Sequence, residues 1–303
     1  MGPMELMKLV DCFSSLSCLT TQITSALILG MVLFLVASGL SLIFGVLGVL
    51  NFAHGALYML GAYFTYTLLT LLGNFGVTVI LAAIGVGVFG VVFERIFIKR
   101  IYSSPLLYQL LLCYAFILIL DDLVKIVWGY EFKSIGLPDA FRRPPVKLFG
   151  SFVPSYYLVI IIVGVVVAIA LWLFLSRTKY GKIIRATAHS SEMVSALGIN
   201  VPMVYAAVFG IGSLLAGLGG VLAGPVRSIY PGMGASIIIE SFIVVVIGGL
   251  GSIPGAFLGA ILIGLMRSFG IIGFPLIEES FTFILMALVL IIRPRGLFGK
   301  EEA

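Results

Sequence analysis

Apolar runs of bilayer-spanning length follow one another along almost the whole chain, at about 23–44, 56–72, 75–93, 106–127, 156–175, 203–223 and 275–292. A hydrocarbon core about 30 Å thick is crossed by roughly 17–25 residues of helix. In lipid every backbone N–H and C=O must find a partner, so only helices or a closed barrel can span it. The period-two alternation of barrel strands is absent. The fold class expected is therefore all-α, a polytopic transmembrane helical bundle of about eight to nine spans with interrupted helices in each half. Charge supports this: only 10% of the 303 residues are charged and 61% are hydrophobic, with a mean hydropathy of +1.23, too little polarity to coat a soluble domain.

Residues 1–22 read as a separate N-terminal segment that mixes acids with serines and lacks the basic start of a signal peptide. Cys12, Cys18 and Cys113 show neither metal nor redox spacing and read as small core or interface residues. A net charge of +5 could suggest nucleic acid, but the basic residues sit at span ends, where they orient a membrane protein. Three clusters, Arg95/Lys99/Arg100, Arg177/Lys179/Lys182/Arg185 and Arg293/Arg295/Lys300, are placed together on the cytoplasmic side by the positive-inside rule. That agreement requires residues 235–272, interrupted by "GGLGSIPG", to supply two short crossings, giving about nine with the N-terminus outside; eight, with part of this stretch re-entrant, stays open. Lys133, Arg142, Arg143 and Lys147 on the connector 129–155 pull against this orientation.

Two interruptions stand out. One runs through Gly45, Gly48 and "NFAHG" (51–55); the other through Gly248, Gly251, Pro254 and Gly255. Paired broken helices in opposite halves of a membrane chain point to a transport path, since unwound backbone at membrane depth is tolerated only against protein or a watery cavity. Asn51, His54, Gly55 and Tyr58, with Gly248, Gly251, Pro254 and Gly255, are accordingly expected to line it. Gly251, Gly255 and Gly259 also form a stripe of the kind that lets helices pack closely, and the two uses can coexist. His54 has no His or Cys neighbour in sequence, so no metal site is expected.

No energy source is visible. Gly181-Lys182 lacks the first glycine and the Ser/Thr of a P-loop, with Ser176 and Ile183 in those places. Gly85-x-Gly87-x-x-Gly90 lies inside an apolar span and reads as helix packing, not a dinucleotide loop. Asp121 and Asp122 lie near the end of their span, and Lys125, four residues after Asp121, suits an interfacial ion pair. Glu240, Arg227 and Arg267 fall towards the outer ends. A single-chain ion-coupled carrier or channel remains the alternative class, and an intramembrane enzyme is remote because no nucleophile sits beside a base.

On the inner side, "GKIIRATAHSSEMVSALGINVP" (181–202) reads as a short helix capped by Ser190, with Glu192 in its first turn and Gly198 stopping it. Met193 and Leu197, with Val194 beside them, would form an apolar knob for the groove of a soluble partner or lie on lipid headgroups.

"GLSLIFGVLGVLNFAHGALYMLGAY" (39–63), "GKIIRATAHSSEMVSALGIN" (181–200), "VVVIGGLGSIPGAFLGAILIGL" (244–265) and "RPRGLFG" (293–299) together resemble the LivH-type permease of branched-chain amino acid ABC transporters, in order from about residue 23 to the C-terminus. The resemblance implies one transmembrane permease domain over 23–303, in a prokaryotic plasma or inner membrane, carrying leucine, isoleucine or valine. It implies a LivM-type permease as heterodimer partner, two LivG/LivF-type ATP-binding subunits that hold the ATP and Mg, and an extracytoplasmic solute-binding protein. This chain itself then carries no cofactor and no catalytic residue. The resemblance also makes 185–198 the ATPase coupling segment, with Arg185, Ala188, Glu192, Met193, Leu197 and Gly198 as its contacts, although the usual Glu-Ala-Ala start of the wider permease loop is missing.

Overall fold

The computed structural model describes residues 11–138, 141–142, 144–275 and 277–299. Its helices are α1 (Leu16–Leu47), α2 (His54–Leu72), α3 (Phe75–Ile96), α4 (Leu106–Trp128), α5 (Ser155–Arg177), α6 (Lys179–His189), α7 (Ser191–Ala196), α8 (Val201–Ala223), α9 (Met233–Gly248), α10 (Ile253–Gly273) and α11 (Glu278–Ile292). A short 3-10 turn, Ile98–Ile101, follows α3. Six of these elements (α1, α2, α3 with its 3-10 turn, α5, α8 and α10) are long and apolar enough to cross a membrane, and α9 is a shorter apolar helix. The expected helical membrane bundle is what the chain forms. The stretch 235–272 does divide, into α9 and α10.

α1 is the axis of the bundle. It begins ahead of the expected position 23, at Leu16, where Ser15 caps the first turn. From Gly30 to Ile43 every residue is buried, as expected of a helix apolar on all sides. It packs against α8, α9, α10, α5 and α6, while α8 also seats α2 and α3. Small residues permit this closeness. A Cβ on Gly30 would stand 3.0 Å from the Ala260 carbonyl oxygen of α10, and one on Gly264 would collide with the Ala26 carbonyl. Without a hydrophobic force between helices in lipid, such contact-driven packing is what holds spans together.

Outside this centre, α3, α4 and α5 expose large apolar side chains, among them Ile80, Val88, Leu111, Leu118, Ile162 and Val166. Between α4 and α5 lies a feature with no counterpart in the expected all-helical outline: a hairpin of β1 (Val146–Leu148) and β2 (Ser151–Val153), paired Val146↔Val153 and Leu148↔Ser151. Phe149 and Gly150 both take positive φ (42° and 86°), the signature of a two-residue primed turn. The hairpin is tied to the start of α1 by a 2.7 Å hydrogen bond between the hydroxyls of Ser151 and Thr21. On the same connector Lys133 lies 3.9 Å from Glu131 and Arg142 donates to the Leu137 carbonyl, so two of its unexpected basic groups are held locally. Arg143 lies outside the described residues.

The cysteines depart from expectation. Cys12 and Cys18 form a disulfide at the entrance to α1, with Cα atoms 5.2 Å apart, and only Cys113 is a free, buried thiol among the described residues. Their spacing matches no metal or redox motif. It does let one turn of chain bring the two sulfurs together.

Candidate functional site

The first interruption begins where α1 stops at Gly48, whose φ of 69° closes the helix on the Phe44 carbonyl. The chain then doubles back along α1. His54 Nε2 comes 3.1 Å from the carbonyl oxygen of Val36, well up the helix the chain has just descended, and Gly39 faces the same imidazole. Because a carbonyl can only accept, Nε2 carries the proton. On α4, Cys113 Sγ lies 3.7 Å from Asn51 Oδ1 and 3.8 Å from the Leu50 carbonyl. Asn51 and His54 are fully buried. Asn51 Nδ2 and His54 Nδ1 nevertheless have no hydrogen-bond partner, while the Tyr58 hydroxyl faces the Arg227 guanidinium. Gly55 meets the Gly234 backbone where α2 crosses α9.

The second interruption is a tight turn between α9 and α10. Gly249 and Gly251 adopt positive φ (98° and 81°), Pro254 occupies the first turn of α10, and Ser252 caps that helix on Gly255 N–H at 3.2 Å. Gly248 and Gly255 touch backbone to backbone, and Gly251 packs on Gly45 of α1. The chain after α11 closes over this turn: Leu297 N–H donates to the Ile247 carbonyl (2.8 Å) and Phe298 N–H to the Gly248 carbonyl (3.0 Å). The eight expected path residues thus fall in two places. Asn51, His54, Gly55 and Tyr58 lie against α1, α8 and α9, while Gly248, Gly251, Pro254 and Gly255 form the hairpin turn under the C-terminal segment.

Packing beside the first set is close, with two small gaps. A narrow gap of about 10 Å³ between α4 and α9 is lined by Phe52, Ala56, Ile117, Asp121, Gly234, Ala235 and Ile238. A second crevice, too tight for water, is bordered by Leu40, Leu50, Asn51, Phe52 and Phe242. Phe52 belongs to both, and its ring lies 5.4 Å from that of Phe242.

The inner loop forms two helices where one was expected. Ser190 ends α6 and caps α7, accepting from Met193 N–H at 3.2 Å; Gly198, at φ 79°, stops the chain as anticipated. Arg185 and Ala188 fall on α6, Glu192 and Met193 on α7, and Leu197 on its cap. All of them, with Gly198, are exposed. Met193 is 68% and Leu197 75% exposed, whereas Val194 is 3% exposed and anchors α7 to the bundle instead of joining the knob.

A family model described as branched-chain amino acid transport system / permease component matches residues 22–293. The chain belongs to this family. It is 32% identical over 294 residues to the high-affinity branched-chain amino acid transport system permease protein BraD of Pseudomonas aeruginosa, covering 93% of this chain and 96% of BraD. With the LivH permease protein of Escherichia coli the identity is 28% over 296 residues, again 93% and 96%. Among solved structures, PsaBC from Streptococcus pneumoniae covers 95% of this chain and 94% of its own at 14% identity and a TM-score of 0.49, a likeness too distant to bear on function. The protein is a multi-pass membrane permease.

Within this permease the charged residues of α9 and α10 are paired. Arg267 of α10 meets Glu240 of α9 in a close ion pair and stands 3.9 Å from Glu278 at the start of α11. Glu240 therefore has a fixed cation beside it, a partner that sequence spacing could not show because it lies on another helix. The close pair is made with the neighbouring aspartate: Lys125 Nζ lies 2.9 Å from Asp122 Oδ1 and still interacts electrostatically with Asp121, whose carboxylate accepts from the Gly232 backbone N–H before α9. Phe52, Ile117, Asp121 and Ile238 were not anticipated as site residues. Phe52 sits inside the "NFAHG" stretch, and its position between two polar groups at a helix break was the available signal.

Proposed function

We propose that this chain is the permease subunit of an ABC importer for branched-chain amino acids, paired with a LivM-type permease, driven by two LivG/LivF-type ATPases that hold ATP and Mg, and supplied by an extracytoplasmic solute-binding protein. The observation that carries the reading is the α6–α7 loop, whose apolar pair Met193 and Leu197 projects outward while Val194 is locked inward. An exposed apolar pair among basic residues suits the groove of a soluble partner. The relatives' names support the solute class, and BraD and LivH are described as permeases for branched-chain amino acids.

The mechanical route follows from packing. α7 and α6 rest on α8, and α6 also rests on α1. A pull on α7 by closing ATPases is therefore delivered to α8 and α1, the helices against which α2 and the break before it are set. Binding energy that differs between two ATPase states then biases the permease between two arrangements.

The test is uptake of labelled leucine into proteoliposomes holding the complete complex, with Leu197→Arg as the variant. Uptake that needs ATP and falls at least tenfold with the substitution supports the reading. Uptake by this chain alone, without ATP and indifferent to the substitution, would replace it with a carrier.

A further inference from the structure

We propose that the C-terminal segment 293–299 is a latch on the inner end of the permease. It holds the α9–α10 turn against the last turn of α1. The seam it closes, Gly45 on Gly251, is where the two interruptions part when the inner side opens. The inference rests on the importer reading above and specifies the moving part within it.

The two interruptions meet at this seam and nowhere interlock. A Cβ on Gly45 would stand 2.9 Å from Gly251 Cα, and Gly248 meets Gly255 main chain to main chain. Surfaces in contact through glycine backbone separate without any side chain leaving a pocket. Arg293 and Arg295 put the segment that covers them on the inner side by the positive-inside rule.

α9 is built to move as a unit. It is a rod of 16 residues, entered through Gly232 at φ 87° and left through Gly249 at φ 98°, backbone conformations that glycine reaches freely. A change of direction taken up at such points leaves the rod intact. The outer half of α9 is pinned by other helices: Asp121 of α4 accepts from Gly232 N–H and Arg267 of α10 holds Glu240. At its inner end the last carbonyls have no partner further along the helix. Those of Ile247 and Gly248 accept instead from the N–H groups of Leu297 (2.8 Å) and Phe298 (3.0 Å). The cap of α9 is thus brought in from the far end of the chain.

The latch is lightly seated. α11, which carries it, buries Thr282 and Val289 alone among its residues, and Phe298 is 48% exposed. A tail kept merely for stability would bury its phenylalanine; this one directs main-chain donors at the helix that ends on the seam. Gly296, at φ 79°, lies against Gly249, where a Cβ would stand 2.6 Å from the Gly249 nitrogen, so the fit depends on bare backbone. Two such hydrogen bonds fix the position of the turn and yield to a modest pull. Once they part, the inner end of α9 is free to leave Gly45, and the motion reaches the first interruption because Phe242 of α9 rests on Phe52.

Hydrogen exchange on the full chain in lipid nanodiscs tests the latch without reference to transport. F298P removes one donor, whereas F298A keeps it and shortens the same side chain. Amides of 246–252 should exchange at least tenfold faster in F298P and within twofold of the parent in F298A; equal exchange in the two variants overturns the latch. Should F298P fail to assemble, the α-hydroxy analogue of phenylalanine placed at 298 decides, since the ester deletes the same N–H and keeps the side chain. The seam is tested in proteoliposomes holding the complete complex and preloaded with labelled leucine. Without ATP, the variant lacking the donor should release leucine at least tenfold faster than F298A. Release at the F298A rate despite faster exchange overturns the seam as the gate. Absence of ATP-driven leucine uptake by the unmodified complex overturns the importer reading instead, and the exchange result stands apart from it.

Discussion

Gly220 of α8 lies so near the backbone of α2 that a Cβ there would collide with the Tyr58 carbonyl. Nothing flexible is available to yield, since the obstacle is main chain. Gly220→Val is expected to lower stability by about 1–3 kcal/mol through overpacking, read as an earlier transition when the purified protein is heated in detergent, whereas Gly76→Val, which meets no close neighbour apart from the Asn74 side chain, should change little. At this scale polarity was the legible signal. Asn51 and His54 announced themselves because an amide and an imidazole are expensive in hydrocarbon, and both prove to be buried at the break. Asp121 was misread because a spacing of four residues allows a pair without requiring one, and the lysine chose the carboxylate three residues away.

At the scale of elements, apolar run length located most of the long helices, because the same hydrocarbon thickness that sets the runs sets the helices. Helix ends were legible where a cap was written in side chains: Ser190 before α7, Gly198 after α7. Where pairing depended on distant partners it was not, and the three-residue strands 146–148 and 151–153 are too short to show any period. The cap at Ser190 serves two helices at once, closing α6 and opening α7. Ser190→Ala is expected to cost about 1 kcal/mol, felt chiefly by α7, a helix of 6 residues. Hydrogen exchange across 190–198 should quicken in the variant while α8 keeps its protection, and unchanged exchange would show that Val194 alone holds the element in place.

For the molecule as a whole, the packing divides into a tight centre around α1, α8 and α10 and a looser flank at α4, where the narrow gap lies. Glu240, Arg267 and Glu278 join α9, α10 and α11 on the side away from the C-terminal segment. Removing Glu240 leaves the part-buried Arg267 with Glu278 alone: Glu240→Gln is expected to destabilise by about 1–2 kcal/mol, and the double change Glu240→Gln with Arg267→Met to recover most of it, a cycle measured by denaturation of the detergent-solubilised protein. A double variant no more stable than the single one would show that the pair does more than neutralise itself. The disulfide at the entrance to α1 has a different consequence. Disulfides persist in oxidising compartments and are rare where glutathione keeps thiols reduced, so Cys12 and Cys18 close only once the tip of α1 has left the cytoplasm. The bond thereby works as a built-in timestamp of insertion: chains caught with free thiols at 12 and 18 are those whose first helix has yet to arrive.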